Sequence, residues 1–175
     1  PLDQFRKVRA QVNEALKMTG GKVIVEFFEL FGARLYTGPL FEKYNNVLRA
    51  HSGVPYFKSL NEQMNRGNTY ATTIHSINSL IIKLSRLQSV KPVWRGMSGM
   101  ALPECFVKAD GRGVRGGVEF GFSSTTRDSK RAAVYAKVDE VEVASTVIEA
   151  HMGASKGGRD LEKRYQNLRR PLTPA

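Results

Sequence analysis

The chain has one cysteine, three histidines and one tryptophan in 175 residues. Each scarcity removes a class of chemistry. Cys105 has no partner for an internal disulfide, so a reducing compartment such as the cytoplasm fits the composition. No obvious base accompanies this thiol, and it is expected to be a small core residue. His51, His75 and His151 lack the spacing of metal ligands, so no metal is expected. Long apolar runs are also missing. Val23-Ile24-Val25 and Leu80-Ile81-Ile82 are far too short to span a bilayer. No charged-then-apolar leader is seen, and a start at Pro1 without methionine suggests a fragment or processed product. Acidic residues are few, 16 against 27 Lys and Arg, leaving a net charge of +11. Such a surface attracts anions: nucleotides, nucleic acid or acidic membrane.

With 41% apolar and 25% charged residues, the chain has the makings of a folded domain with its own core. One domain over residues 1–175 is expected, with a helical part at 1–90 and a β-rich core at 91–175. In the first part Phe5, Val8, Val12 and Leu16 recur at helical spacing before Gly20-Gly21 ends the run. Pro39 can open a helix with Leu40, Phe41, Tyr44, Val47 and Leu48 on one stripe. The strongest pattern covers residues 69–88. Its seam is Ile74, Ile77, Ile81 and Leu84, widened by Leu80 and Leu87, with His75 at the rim. After Lys91-Pro92 the pattern changes to short β-leaning segments at 93–96, 118–123 and 145–151, separated by glycine-rich turns. Asp128 can cap a short helix running to about Ala136. Helices first and strands later predict an α+β fold, a helical N-terminal part packed on a mostly antiparallel sheet.

Two patterns invite a wrong reading. Gly111-Arg112-Gly113-Val114-Arg115-Gly116 spells G-x-G-x-x-G, yet the dinucleotide fingerprint needs a strand before it and a helix after it. Here an irregular stretch precedes and a β-leaning segment follows, so a hairpin leading into Glu119–Phe122 is expected. Residues 156–170 concentrate Lys156, Arg159, Lys163, Arg164, Arg169 and Arg170. A nucleic-acid surface needs aromatics among such cations, and only Tyr165 is there, which ranks that partner last.

Two other segments carry more information. Val93-Trp94-Arg95-Gly96 offers a permanent cation beside a glycine, and Phe122-Ser123-Ser124-Thr125-Thr126 a cluster of hydroxyls. A guanidinium forks onto phosphate, a glycine lets backbone approach a flat ring, and hydroxyls can bond ribose. A nucleotide site follows, most naturally for a dinucleotide.

In order and spacing these segments resemble the arginine-specific mono-ADP-ribosyltransferases of the R-S-E type. Tyr36-Thr37-Gly38-Pro39-Leu40-Phe41-Glu42-Lys43-Tyr44-Asn45 and Thr72-Thr73-Ile74-His75 are similar to the helical part of eukaryotic members. Trp94-Arg95-Gly96-Met97-Ser98-Gly99 resembles the arginine segment. The run from Gly116 to Thr126 resembles the Ser-Thr-Ser segment with its lead-in, and Ile148–Gly153 the next core strand. The resemblance implies a two-sheet NAD-binding core and NAD as substrate. It also implies an acceptor protein with an exposed arginine, and release of nicotinamide. By that resemblance Arg95 holds the NAD phosphate and adjoining ribose, and Gly96 pairs its backbone with the nicotinamide amide. Ser124 contacts the nicotinamide ribose, while Thr125 and Thr126 brace the site.

The family's third element, Glu-x-Glu, follows an aromatic residue and precedes Pro-Pro-Leu-Thr. Two such carboxylates point to one face of a strand. One stabilises the cationic transition state and the other activates the acceptor guanidinium. Here Tyr165, assigned to the acceptor loop, is followed by Gln166-Asn167-Leu168-Arg169-Arg170-Pro171-Leu172-Thr173, with no glutamate. Glu140-Val141-Glu142 spells the motif but precedes the 145–151 segment; Glu142 is the catalytic candidate, with Glu162 behind it. Glu149 matches a glutamate of the preceding core strand and offers no replacement. A relative that binds NAD without turnover is the alternative.

Overall fold

The computed structural model describes residues 2–89, 91–137 and 145–150, and these fall into two compact units. The first comprises residues 2–89 together with Glu119–Phe122; the second holds the remainder. The architecture is α+β, with six α-helices and one two-stranded antiparallel sheet among the described residues.

The first unit contains α1 (Leu2–Met18), α2 (Phe27–Tyr36), α3 (Phe41–Ala50), α4 (Pro55–Asn65) and α5 (Ala71–Leu84). The stripe expected on α1 packs as its spacing requires. Leu16 is buried with Val25, Leu30 and Leu80, and Phe5, Val12 and Leu84 close over them. Gly20 turns left-handed at φ +78°, which a side chain would strain, and α1 stops there. The following segment forms no ladder, so side chains of α1 satisfy its backbone. Asn13 accepts from the Val25 N–H at 2.7 Å and donates to the Val25 carbonyl at 3.1 Å; Arg9 Nε donates to the same carbonyl at 2.9 Å.

The first turn of α2 is held by Glu29, which accepts from the Glu26 N–H at 2.7 Å. Glu29 is fully buried and also takes Ser79 Oγ at 2.5 Å and Lys83 Nζ at 2.7 Å, both from α5. Burial pushes this carboxyl up, but the bonds from the Glu26 N–H, Lys83 and Ser79 and the Lys83 charge outweigh it. Its pKa lies below the ordinary glutamate value.

The helix expected at about 69–88 is α5, Ala71–Leu84, followed by a 3-10 turn at Ser85–Leu87, but its buried face is Ser76, Ile77 and Leu80 rather than a seam through Ile81, which is half exposed. The cause is Gly32 of α2. A Cβ there would lie 3.3 Å from both Ser76 Cβ and Ile77 Cγ1, so two small residues let the helices close at that point and rotate Ile81 outward. Two helices, α2 and α4, lack a clear sequence signal. Pro55 at the start of α4 is the one local cue.

The second unit contains β1 (Val93–Ser98), α6 (Ser129–Ala136) and β2 (Ser145–Ala150). Asp128 caps α6 as expected, accepting from the N–H groups of Lys130 at 3.0 Å and Arg131 at 3.4 Å. β1 and β2 pair antiparallel, with Arg95 opposite Ile148 and Gly96 opposite Val147.

Two expectations are corrected. Residues 118–123 are not a strand, and the glycine-rich stretch does not lead into one. The backbone of Phe122 is bonded by side chains of α2 and α3 instead of by a neighbouring strand. Cys105 is exposed, not core. It sits in a 3-10 turn, Glu104–Phe106, where Phe106 faces inward on Gly117 and the Cys105 carbonyl accepts from the Gly116 N–H. No helix among the described residues is long and apolar enough to cross a membrane.

Candidate functional site

The candidate site is built on β1. Successive side chains of a strand alternate between faces. Trp94 and Gly96 therefore share one face, and α6 lies on it. Trp94 packs on Ala132, Ala136 and Val147, and a Cβ on Gly96 would lie 1.9 Å from the Ala132 carbonyl oxygen. Arg95 belongs to the opposite face, away from α6.

On that face the guanidinium of Arg95 meets the hydroxyl segment. Arg95 Nη1 donates to Ser123 Oγ at 2.5 Å. The resemblance assigns roles to Ser124, Thr125 and Thr126 and none to Ser123, whose contact depends on how the chain folds back to Arg95 rather than on composition. Ser123, Ser124 and Thr125 are exposed, whereas Thr126 is half-buried and structurally engaged. Its N–H and carbonyl pair with Trp94 at 2.8 and 2.7 Å, and its Oγ1 accepts from the Asp128 N–H at 3.1 Å. Thr126 thus ties the hydroxyl segment to β1 and turns the chain into α6.

Hydrogen-bonding direction also alternates along an antiparallel strand. Trp94 turns its N–H and carbonyl to Thr126, so Gly96, two residues on, turns its own to the same edge. The pairing with Thr126 is a single isolated bridge. Among the described residues nothing on that edge bonds Gly96. Its missing side chain accommodates α6 on one face, while its backbone N–H and carbonyl point to the edge that carries the Thr126 bridge. A planar carboxamide bears the complementary pair.

Of the candidate carboxylates only Glu149 lies among the described residues. Glu149 stands opposite Trp94 in the ladder and so shares the α6 face, not the face of Arg95. Glu140, Glu142, Glu162 and Tyr165 lie outside the described residues. Among the described residues no group of His, Cys, Asp and Glu could hold a metal ion. A hollow of about 390 Å³ in the helical unit is lined by Phe5, Val8, Leu30 and Ala33 with Gln4, Arg34 and Thr37 at its polar side. It carries none of the groups assigned to the nucleotide.

No protein family, curated protein or solved structure matches this chain. The residues and their geometry therefore carry the functional reading.

Proposed function

We propose that this chain is an NAD-dependent mono-ADP-ribosyltransferase domain on the two-sheet core of that fold. It transfers ADP-ribose from NAD to a protein arginine and releases nicotinamide. In this reading Arg95 binds the diphosphate and adjoining ribose, and the Gly96 backbone receives the nicotinamide carboxamide. Ser124 holds the nicotinamide ribose, while Thr125 and Thr126 keep the segment in place. The nicotinamide–ribose bond breaks with its electron pair leaving on the nicotinamide. An acceptor guanidinium nitrogen then bonds the cationic sugar carbon and gives up a proton. Glu142 is the carboxylate proposed to stabilise that cation, with Tyr165 in the loop that meets the acceptor.

One observation carries the reading. The permanent cation Arg95 touches the hydroxyl segment at Ser123, beside a glycine whose backbone donor and acceptor face the strand edge of the Thr126 bridge, where nothing among the described residues bonds them. Phosphate, ribose and carboxamide are the three chemistries that such a set recognises together.

A second reading, an NAD-binding relative without turnover, is favoured by one feature of the sequence. Arg169 and Arg170 stand where the resemblance expects carboxylates, and positive charge opposes a developing cation.

Calorimetry with NAD tests the site common to both readings. Arg95→Lys keeps the charge but loses the fork, and binding should weaken by about 1–3 kcal/mol. Equal affinities, or no binding by the unsubstituted chain, would reject the assignment.

A further inference from the structure

Phe5 and Val8 of α1 meet Leu30 and Ala33 of α2 around the hollow of about 390 Å³ in the helical unit. Small-molecule sites span roughly 300–1,000 Å³ and are mostly apolar, with a few polar groups that set orientation. The hollow has that composition. The short side chain of Ala33 leaves the space between the two helices open, and Val8 stays partly exposed to water. The helices are pinned beside it without any ligand. Phe5 meets Phe31 with ring centroids 4.7 Å apart, and Arg9 of α1 pairs with Glu26 before α2 at 2.8 Å.

Arg34 and Gln4 border the same hollow, and their side chains have no partner among the described residues. The other two arginines of this helix pair are matched, Arg6 to Asp3 and Arg9 to Glu26. Thr37 uses its hydroxyl hydrogen on the Arg34 carbonyl at 3.0 Å, which leaves the guanidinium and the Gln4 carboxamide as donors. A permanent cation beside apolar walls complements a molecule with an anionic end and an apolar body. We infer that the hollow binds an alkyl carboxylate of the fatty-acid class. Its carboxylate accepts from Arg34 and Gln4, and its chain lies against Phe5, Val8, Leu30 and Ala33. A second copy of the chain is a poorer occupant, since it brings a net charge of +11 towards Arg34 and needs about 800 Å² of surface per partner. This site lies wholly in the helical unit and is independent of the NAD reading.

The experiment is calorimetry with hexanoate, octanoate and decanoate on the whole chain, each kept below its micellar concentration. Affinity should rise about 3–10-fold with every two added methylenes, as apolar surface leaves water. Arg34→Gln should weaken decanoate by about 3–10-fold, a charge-assisted bond discounted for the exposure of the arginine. Decanol, which has no charge, should bind the unsubstituted chain and Arg34→Gln alike. Ala33→Leu puts a larger side chain into the hollow and should weaken decanoate by about tenfold or more. Lys17→Gln removes an exposed cation at the other end of α1 and should change nothing. No decanoate binding by the unsubstituted chain, full affinity in Arg34→Gln or Ala33→Leu, or an equal loss in Lys17→Gln would overturn the inference. Should Ala33→Leu fail to fold, as judged by urea unfolding, Val8→Gln decides. Its polar wall should flatten the rise in affinity with chain length, and an unchanged rise would count against the site.

Discussion

Gly96 stands directly against Ala132. A methyl group on its Cα would come within 1.9 Å of the Ala132 carbonyl oxygen and 2.8 Å of the Ala136 nitrogen. Both neighbours are helix backbone, which cannot rotate away as a flexible side chain can. Gly96→Ala should therefore destabilise the sheet–helix packing by about 1–3 kcal/mol, the usual cost of overpacking a filled interior. Thermal unfolding checks this in the absence of any nucleotide. Unchanged stability would mean that α6 does not close on β1 at this position.

That contact also marks where the sequence stops being legible. Local patterns were sufficient for α1, ended by Gly20, and for α6, capped by Asp128, because the cause of each lies within a few residues of its effect. The buried face of α5 lies one step around the helix from the expected seam, because Gly32, far upstream in sequence, packs against Ser76 and Ile77. Asn45 carries no sign in the sequence that it will be buried, since its partner Phe122 lies 77 residues away. The same distance explains why residues 118–123 read as a strand. The backbone of Phe122 is bonded by side chains of helices that no periodicity could point to, and the Gly121 N–H by Glu119 of the segment itself. At the site, residue types at Arg95, Gly96 and Thr126 single out two segments that the bridge between Trp94 and Thr126 brings together. They do not tell which hydroxyl touches Arg95, because that depends on how the chain leaves the bridge at Thr126.

Glu29 should make stability depend on acid. Its folded-state pKa is lowered, so the carboxylate stabilises the fold above the unfolded-state value of about 4.3. That contribution is lost as pH falls through the lower folded-state value. Urea midpoints measured from pH 6 down to about pH 3 should therefore fall more steeply for the unsubstituted chain than for Glu29→Gln. Lys83→Met leaves the buried carboxylate without its cation, since Lys83 lies 2.7 Å from Glu29. The cost at neutral pH should be near the lower end of about 3–5 kcal/mol, because the lysine is itself partly exposed. Parallel pH profiles for the unsubstituted chain and Glu29→Gln would show that this cluster does not titrate with folding.

The basic surface gives a separate prediction about nucleic acid. On α6, Lys130 and Arg131 are exposed one turn before Val134 and Tyr135, the latter 71% exposed. This places an aromatic among cations, which the late basic run hardly does. A short oligothymidylate followed by fluorescence polarisation should bind weakly at about 50 mM salt and be lost near about 150 mM, as released counterions dominate the affinity. Tyr135→Ala should change little. A tight complex surviving at the higher salt, and weakened by Tyr135→Ala through lost stacking, would place nucleic-acid binding ahead of the transferase reading.

The last prediction concerns turnover. With Arg169 and Arg170 in the stretch where the resemblance expects two glutamates, nicotinamide release from NAD should be slow or absent. A positioned carboxylate typically contributes about 10²–10⁴ in rate through acid–base and electrostatic stabilisation, and a nearby cation acts in the opposite sense. Nicotinamide release should be followed together with transfer of labelled ADP-ribose to agmatine or polyarginine. Brisk turnover would show that another carboxylate serves. Glu140→Gln, Glu142→Gln and Glu162→Gln, made singly, would then identify it, and Glu142→Gln is expected to abolish the reaction. If turnover is absent while NAD still binds, a Glu-x-Glu pair inserted after Tyr165 should restore part of the rate. Failure of the graft with NAD affinity preserved would favour a protein committed to binding alone.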